Sequence, residues 1–535
     1  WEIKMLVWIW CGCALVALAL YFRNLYSYFS RRGVKNLPPV PIAGNIANAL
    51  LKKEHIGKIF ERTYNAFPGE RFVGCYEFVH PMVVLRDLEL IKQVGVKSFD
   101  KFPNHSTVRL ENTEDFLLRS LVAMTDEVWK DMRGTLSPAF TISKIRLMMP
   151  FMVEVGHQMM RHLQEKIRNS ESKYMDVDVK DLTTRYANDV IASCVFGCKV
   201  DSHKEENNEF YTRGDRSVTT NFDCLHPIVF CQRLLCWSVF LTLEFIDPKP
   251  KKFFRDLVLG SMKEREAKNI NRPDMIHLLM QAKKGSLSHD AKSDNDADAG
   301  FATTEESDIG KKKVNREWSD IDLIAQAVLF FIAGFGTVST CMSFLLHELA
   351  VNPDVQEKLV REIREYDEKN GGTFDYNSVQ KMTYLDMVVS EGLRLWPPAL
   401  FLDRCSSYDY NLGRPNDTAR EDFIIRKGTT VNIPILAIHR DPQYFPDPEK
   451  FDPERFSEQN KHNILPYSYL PFGVGPRNCL GSRFALYEVK VMVYQLLRSM
   501  ELSPAAKTQI PAQHDPTTFS STMLGGHWLR FRTRT

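Results

Sequence analysis

Phe472-Gly473-Val474-Gly475-Pro476-Arg477-Asn478-Cys479-Leu480-Gly481 sets one cysteine among glycines, with an arginine two places before it and an apolar, helix-like run over 484–497 after it. A thiol held by a tight loop at a helix N-terminus is in the setting that favours its anion. Amides pointing at the sulfur and the positive end of the helix dipole both lower its pKa. Gly475 permits backbone angles closed to residues with a Cβ. Pro476 stiffens the turn and has no N–H of its own. The expected product is a thiolate directed at a metal; the plain alternative is a buried free thiol.

Three other spacings could carry chemistry. Ala333-Gly334-Phe335-Gly336-Thr337 interrupts an apolar stretch, 318–350, that can form one helix more than about 45 Å long. Ala333 and Thr337 are four apart on one face, and a helical threonine often bonds its own i−4 carbonyl and widens the turn. On its own this reads equally as a kinked core helix. Glu391 and Arg394, three apart before Pro397-Pro398, share a helix face and can pair; exposed pairs of this kind contribute little. Trp129 and Arg133 are four apart in Trp-Lys-Asp-Met-Arg and also share a face.

Taken together, these motifs resemble the cytochrome P450 haem-thiolate monooxygenases, and F-x-x-G-x-R-x-C-x-G is similar to the haem-binding loop of that family. The resemblance runs from Leu37-Pro38-Pro39-Val40-Pro41, similar to the proline hinge of microsomal members, to the final strands. Stretches such as Ser137-Pro138-Ala139-Phe140 and His439-Arg440-Asp441-Pro442 look like insect microsomal P450s of the clan that includes vertebrate drug-oxidising enzymes. It implies haem b (iron protoporphyrin IX) with Cys479 as metal ligand, a thiolate that pushes electron density onto iron and promotes O–O cleavage. Phe472 would shield the Fe–S bond, Gly481 would lie against the macrocycle, and Arg477, Trp129, Arg133 and Arg404 would meet the haem propionates. Ala333 and Thr337 would form the oxygen-binding groove, with the Thr337 hydroxyl beside dioxygen. Glu391, Arg394 and Arg455 would form a buried structural charge cluster beneath the haem. Leu121, Val122, Ile332, Ala333, Ala399 and Leu400 would line an apolar substrate pocket. Lys130 would face outwards, either solvated or helping to dock an acidic reductase. The sequence departs from the family pattern at Gly336, where an acidic residue usually precedes the threonine. A water chain beside Gly336 is expected to take over proton delivery.

These residues need a scaffold, and the resemblance implies a mainly α fold with a smaller β-rich part (α+β), the cytochrome P450 fold, with an N-terminal transmembrane helix. The 535 residues contain no linker after residue 45, so one large catalytic domain over 46–535 is expected. The run 5–22 is uncharged and spans about 27 Å as a helix. Arg23, Arg31, Arg32 and Lys35 follow it, which the positive-inside rule reads as a cytosolic flank. Residues 1–23 are therefore expected to be a membrane anchor and 24–45 a basic, proline-rich hinge. A cleaved signal peptide, with Ala17-Leu18-Ala19 as the cleavage site, is the competing reading. The first residue is Trp, so the start is expected at Met5 or upstream. Strands are expected over 72–85, helices over 126–170 and 178–198, and a mobile surface loop over 285–316. Arg233 to Phe245 is apolar but too short to span a bilayer; it reads as a buried helix or, by resemblance, a membrane-dipping lid.

Lys+Arg 69 against Asp+Glu 67 gives no general nucleic-acid surface. Eleven scattered cysteines, an odd number without a C-x-x-C pair, suit reduced thiols facing the cytosol. No phosphate-cradling glycine loop is present, so flavin and NADPH chemistry must come from a partner. The resemblance implies NADPH–cytochrome P450 reductase, with cytochrome b5 as a further donor, at the endoplasmic reticulum membrane. It implies oxygen insertion into hydrophobic substrates and leans towards xenobiotic or insecticide clearance. Hormone or lipid hydroxylation, a peroxide isomerase or dehydratase on the same fold, and a non-catalytic haem protein are the alternatives.

Overall fold

The computed structural model describes residues 1–106, 116–216, 248–285, 287, 300–304, 306–311, 316–372 and 374–534. Helix α1 (Glu2–Leu25) is apolar and exposed along its length, as a segment made for a lipid environment would be. The segment after it is docked on the domain. Gly74 N–H donates to the Lys35 carbonyl at 2.8 Å, and Asn45 exchanges hydrogen bonds with the Tyr76 backbone at 2.8 Å. Gly44 has a positive φ of 66°, and a Cβ there would meet the Tyr76 carbonyl at 2.4 Å, so this turn requires glycine.

Strands β1 (Phe72–Glu77) and β2 (His80–Leu85) occupy the expected positions and pair antiparallel, Phe72 opposite Leu85. β2 continues the sheet in parallel with β7 (Thr430–Ile433), which pairs antiparallel with β4 (Leu402–Cys405), giving the order β1-β2-β7-β4. Arg404 opposite Val431 is thereby carried on an edge strand. A second sheet, β3 (Tyr174–Asp178), β9 (Trp528–Thr533) and β8 (Met500–Pro504), closes the C-terminal end, and β5 (Tyr410–Asn411) pairs with β6 (Ile424–Ile425).

The helical part is built around α2 (Asp320–Val351), a 32-residue helix started by a reciprocal cap between Ser319 and Asp322. Although it is long and apolar enough to span a membrane, most of it is inside the protein. It packs against α3 (Val179–Ile191) and α4 (Ser482–Ser499), with α5 (Ile142–Arg168) against α4. The expected helical stretches are thus α6 (Asp126–Leu136), α5 and α3. The stretch 233–245 lies outside the described residues.

Within the stretch expected as a mobile surface loop, 285–316, the described residues make specific contacts with the domain. Phe301 packs on Phe456 and Tyr469, with ring centroids 5.1 and 5.7 Å apart, and its amide donates to Asp386. Thr304 bonds Ser482, Glu306 pairs with Arg133, and Asp308–Lys311 form a helical turn. These described residues are held by individual side-chain contacts, which polar composition without periodicity does not reveal.

α4 also buries an anomaly. Glu488 is fully buried and neither carboxylate oxygen has a hydrogen-bond partner among the described residues. Desolvation pushes its pKa well above the ordinary carboxylate value. A native state that binds this proton more tightly than the unfolded chain loses stability as pH rises from the unfolded pKa towards the folded one. Glu488→Gln should therefore stabilise the holoenzyme at pH 7.5, and the gain in Tm should shrink towards pH 5. Thermal unfolding at the two pH values checks the sign.

Candidate functional site

Phe472 to Gly481 forms a closed loop before α4. The Cys479 amide donates to the Phe472 carbonyl at 2.8 Å and the Asn478 amide to the Gly475 carbonyl at 2.9 Å. Gly473 and Gly475 both have positive φ, 83° and 70°. Gly475 is doubly constrained, because a Cβ would lie 1.8 Å from the Gly95 carbonyl oxygen. Gly481 has ordinary backbone angles and its pro-Cβ position meets only Phe140, so the backbone does not require glycine there.

Cys479 keeps accessible surface although the atoms around it are dense enough to desolvate a charge, the combination expected of a side chain facing an internal recess. Burial pushes the thiol up, against the Gly481 amide and the Arg133 charge, which pull it down. The loop alone therefore does not ionise the sulfur as its spacing suggests. Coordination to a metal ion would do so outright.

The centre of α2 carries an accessible face. There Ala333 and Thr337 are exposed, whereas Ile332, Phe335 and Val338 are buried. The Thr337 hydroxyl donates to the Ala333 carbonyl at 2.5 Å, the i−4 bond expected from the spacing. Of the expected pocket residues, Val122 and Ala399 are exposed and Leu121, Ile332 and Leu400 are each 7% exposed. Ala399 and Leu400 follow the proline stop of α7 (Thr383–Leu395), and Leu121 is fixed by its amide donating to Gln326 on α2.

The arginines gather at one edge. Arg477 donates to the carbonyls of Pro103 at 2.6 Å and Met124 at 2.8 Å, and its guanidinium lies 4.2 Å from the Trp129 ring centroid. Arg404 is fully buried, donates to the Asp403 and Val474 carbonyls, and leaves its Nε without a partner among the described residues. Desolvation brings Arg477 down to about 9, with Arg404 adding to the effect, and brings Arg404 down to about 10. The nearby carboxylate, Asp403, is taken up by His105 at 2.9 Å and by the Ser106 amide. Buried positive charge in excess, with an orphaned donor, fits an anionic group such as a pair of propionates. Arg133 is placed differently. Its donors go to the Asn478 backbone and side-chain oxygens, both at 2.8 Å, and to Glu306 at 2.7 and 3.1 Å, so it grips the cysteine loop from behind. Lys130 pairs with Glu127.

Glu391 and Arg394 make a bidentate pair at 2.7 and 2.9 Å with both side chains fully buried. Arg394 also donates to the His439 and Lys450 carbonyls, and Arg455 reaches Glu391 at 3.4 Å. The three charges expected to cluster are together. The residues missed from sequence, His105, Asp403, Asn478 and Glu306, lie far apart in the chain and have no spacing to reveal them.

An accessible thiol in a closed loop, buried arginines beside that loop and a buried ion-pair cluster tied to it through His439 are the features that a haem-thiolate site would use. The family profile for cytochrome P450 matches residues 35–528. The chain belongs to the cytochrome P450 family. It is 42% identical over 99% of its length to cytochrome P450 9e2 of Blattella germanica, covering 98% of that protein. It is 39% identical to cytochrome P450 9c1 of Drosophila melanogaster, over 92% of each chain, and 36% identical to cytochrome P450 6k1 of Blattella germanica, over 94% of each. The protein is accordingly an oxidoreductase, a monooxygenase that binds haem b and depends on electrons from NADPH.

Proposed function

We propose that this monooxygenase inserts one oxygen atom of dioxygen into uncharged hydrophobic compounds and serves in clearance of xenobiotics, insecticides among them. The observation that carries the reading is that, of the candidate pocket and groove residues, Val122, Ala333, Thr337 and Ala399 keep accessible surface and none of them carries a charge to anchor an acid or a base. Selection on such a surface rests on shape and apolar burial, at about 25 cal/mol per Å².

Bound haem supplies the oxygen-activating chemistry. Cys479 would be its thiolate ligand, Phe472 its cover, and Arg404, Arg477 and Trp129 the edge that receives the propionates, with Arg133 holding the loop. Thr337, in place of its bond to the Ala333 carbonyl, would offer its hydroxyl to the reacting dioxygen. Electrons would come from NADPH–cytochrome P450 reductase, with cytochrome b5 as a second donor. Residues 1–23 would anchor the chain in the endoplasmic reticulum membrane, 24–45 would orient it, and the catalytic domain, 46–535, would face the cytosol. The exposed apolar α1 followed by basic residues supports that arrangement.

Gly336 favours a second reading, a peroxide isomerase or dehydratase that needs neither reductase nor proton relay. Reductase-supported turnover of a panel of hydrophobic compounds distinguishes the two. Product that requires NADPH and reductase supports the proposal, and rearrangement or dehydration of an organic hydroperoxide with no reductase-supported product from any compound would contradict it.

A further inference from the structure

Monooxygenation of RH by dioxygen and NADPH with one proton gives ROH, water and NADP⁺, so protons must reach the recess behind Thr337. The wall behind that residue carries a group with no part in the site described so far. Lys180, in the first turn of α3, drives its ammonium against α2, where Nζ donates to Ser339 Oγ and to Thr340 Oγ1, both at 2.8 Å. Ser339 is fully buried. Having accepted from Lys180, it donates its own O–H to the Phe335 carbonyl at 2.7 Å, with the Gly336 carbonyl at 3.1 Å. The hydrogen bonds therefore run from the ammonium through Ser339 to the Phe335 and Gly336 carbonyls, in the turn that contains Thr337. The Ser339 carbonyl is fixed in turn by Thr183 at 3.0 Å. Gly336, which has no side chain to block the approach, keeps accessible surface.

We propose that Lys180 supplies protons to the distal groove through the Ser339 hydroxyl and a water beside Gly336. In each transfer Lys180 gives a proton to Ser339 Oγ while the Ser339 O–H proton passes to that water. Lys180 is left neutral and is reprotonated from solvent, to which the residue keeps partial access. The inference rests on the monooxygenase assignment. Two further features suit the role. The ammonium sits at the N-terminal, positive end of α3, where the dipole opposes its charge. Burial brings its pKa down to about 7, against Asp178 and Asp215, which pull it up. The charged and titratable groups facing it are Asp178 at the start of α3, Asp215 from the segment ending at 216, and His527 from the approach to β9, whose own pKa Lys180 lowers; Asp181 acts on both aspartates.

The test compares wild-type holoenzyme with Lys180→Met and Ser339→Ala, reconstituted with reductase and a hydrophobic substrate. Both variants should release more peroxide per NADPH, on the order of tenfold, while the reduced carbon monoxide spectrum and substrate-binding spectral shift stay as in wild type. Product per NADPH should fall above about pH 7 in the wild type and lose that dependence in Lys180→Met. Independently of turnover, NMR of reductively methylated lysines should show one resonance titrating near pH 7 that is absent from Lys180→Met. Wild-type coupling in both variants would overturn the proposal, as would loss of coupling only in proportion to lost haem, or a lysine that titrates at its ordinary pKa. An altered carbon monoxide spectrum in the wild type would instead sink the haem-thiolate assignment.

Discussion

Glu391→Gln should yield protein that folds in part but purifies with little haem. The substitution keeps the volume of the side chain and removes its charge, leaving Arg394 fully buried with only neutral partners, the Gln oxygen and the carbonyls of His439 and Lys450. Breaking a buried pair by neutralising one partner typically costs about 3–5 kcal/mol, a large share of the roughly 5–15 kcal/mol that holds a domain together. The cluster ties α7 to the 447–455 segment through Arg455 and the Asp452 amide, and His439, which bonds both Arg394 and the Leu470 amide, passes that order to the start of the cysteine loop. The haem-to-protein ratio, measured beside far-ultraviolet circular dichroism, checks this. Wild-type haem content in Glu391→Gln would show that the cluster does not hold the site.

Gly475→Ala should be more damaging than Gly473→Ala, although both glycines have positive φ. Left-handed backbone costs an L-residue about 1–2 kcal/mol, and Gly473→Ala meets little more than that, since its Cβ would be 3.5 Å from Leu402. At Gly475 the Cβ would overlap the Gly95 carbonyl oxygen at 1.8 Å, and backbone cannot rotate away as a side chain can. The loop must then lift off residues 93–97, moving Cys479 with it. The expected result is loss of most of the thiolate-type carbon monoxide spectrum in Gly475→Ala and retention of most of it in Gly473→Ala. Equal spectra in the two variants would contradict the steric account.

What the sequence disclosed follows from the range of the interactions involved. The i−4 bond of Thr337, the Glu391–Arg394 pair and the turn at Gly475 are local, so spacing alone specifies them. Clustering of Arg404 with Arg477 depends on β4 lying at the edge of a sheet that pairs residues about 350 apart, and motif resemblance, not periodicity, pointed to it. Arg133 was legible as a helix-face partner of Trp129, yet its ties to Asn478 and Glu306 needed the fold. The thiol shows the clearest limit. Glycines and a helix N-terminus suggest an ionised sulfur, whereas the folded loop also buries it, and burial is the larger effect until a metal is bound. Glu488 and Lys180 carry no motif at all, since a buried charge in a helix reads as a surface residue until its neighbours are known.

The reduced carbon monoxide difference spectrum of Cys479→Ser, taken beside the wild type, tests the central claim most directly. An iron held by the Cys479 thiolate gives the long-wavelength Soret band in the wild type, and its loss in Cys479→Ser, together with loss of NADPH- and oxygen-dependent product formation, is the result expected. An unchanged band in Cys479→Ser would place the iron on another ligand and contradict the account.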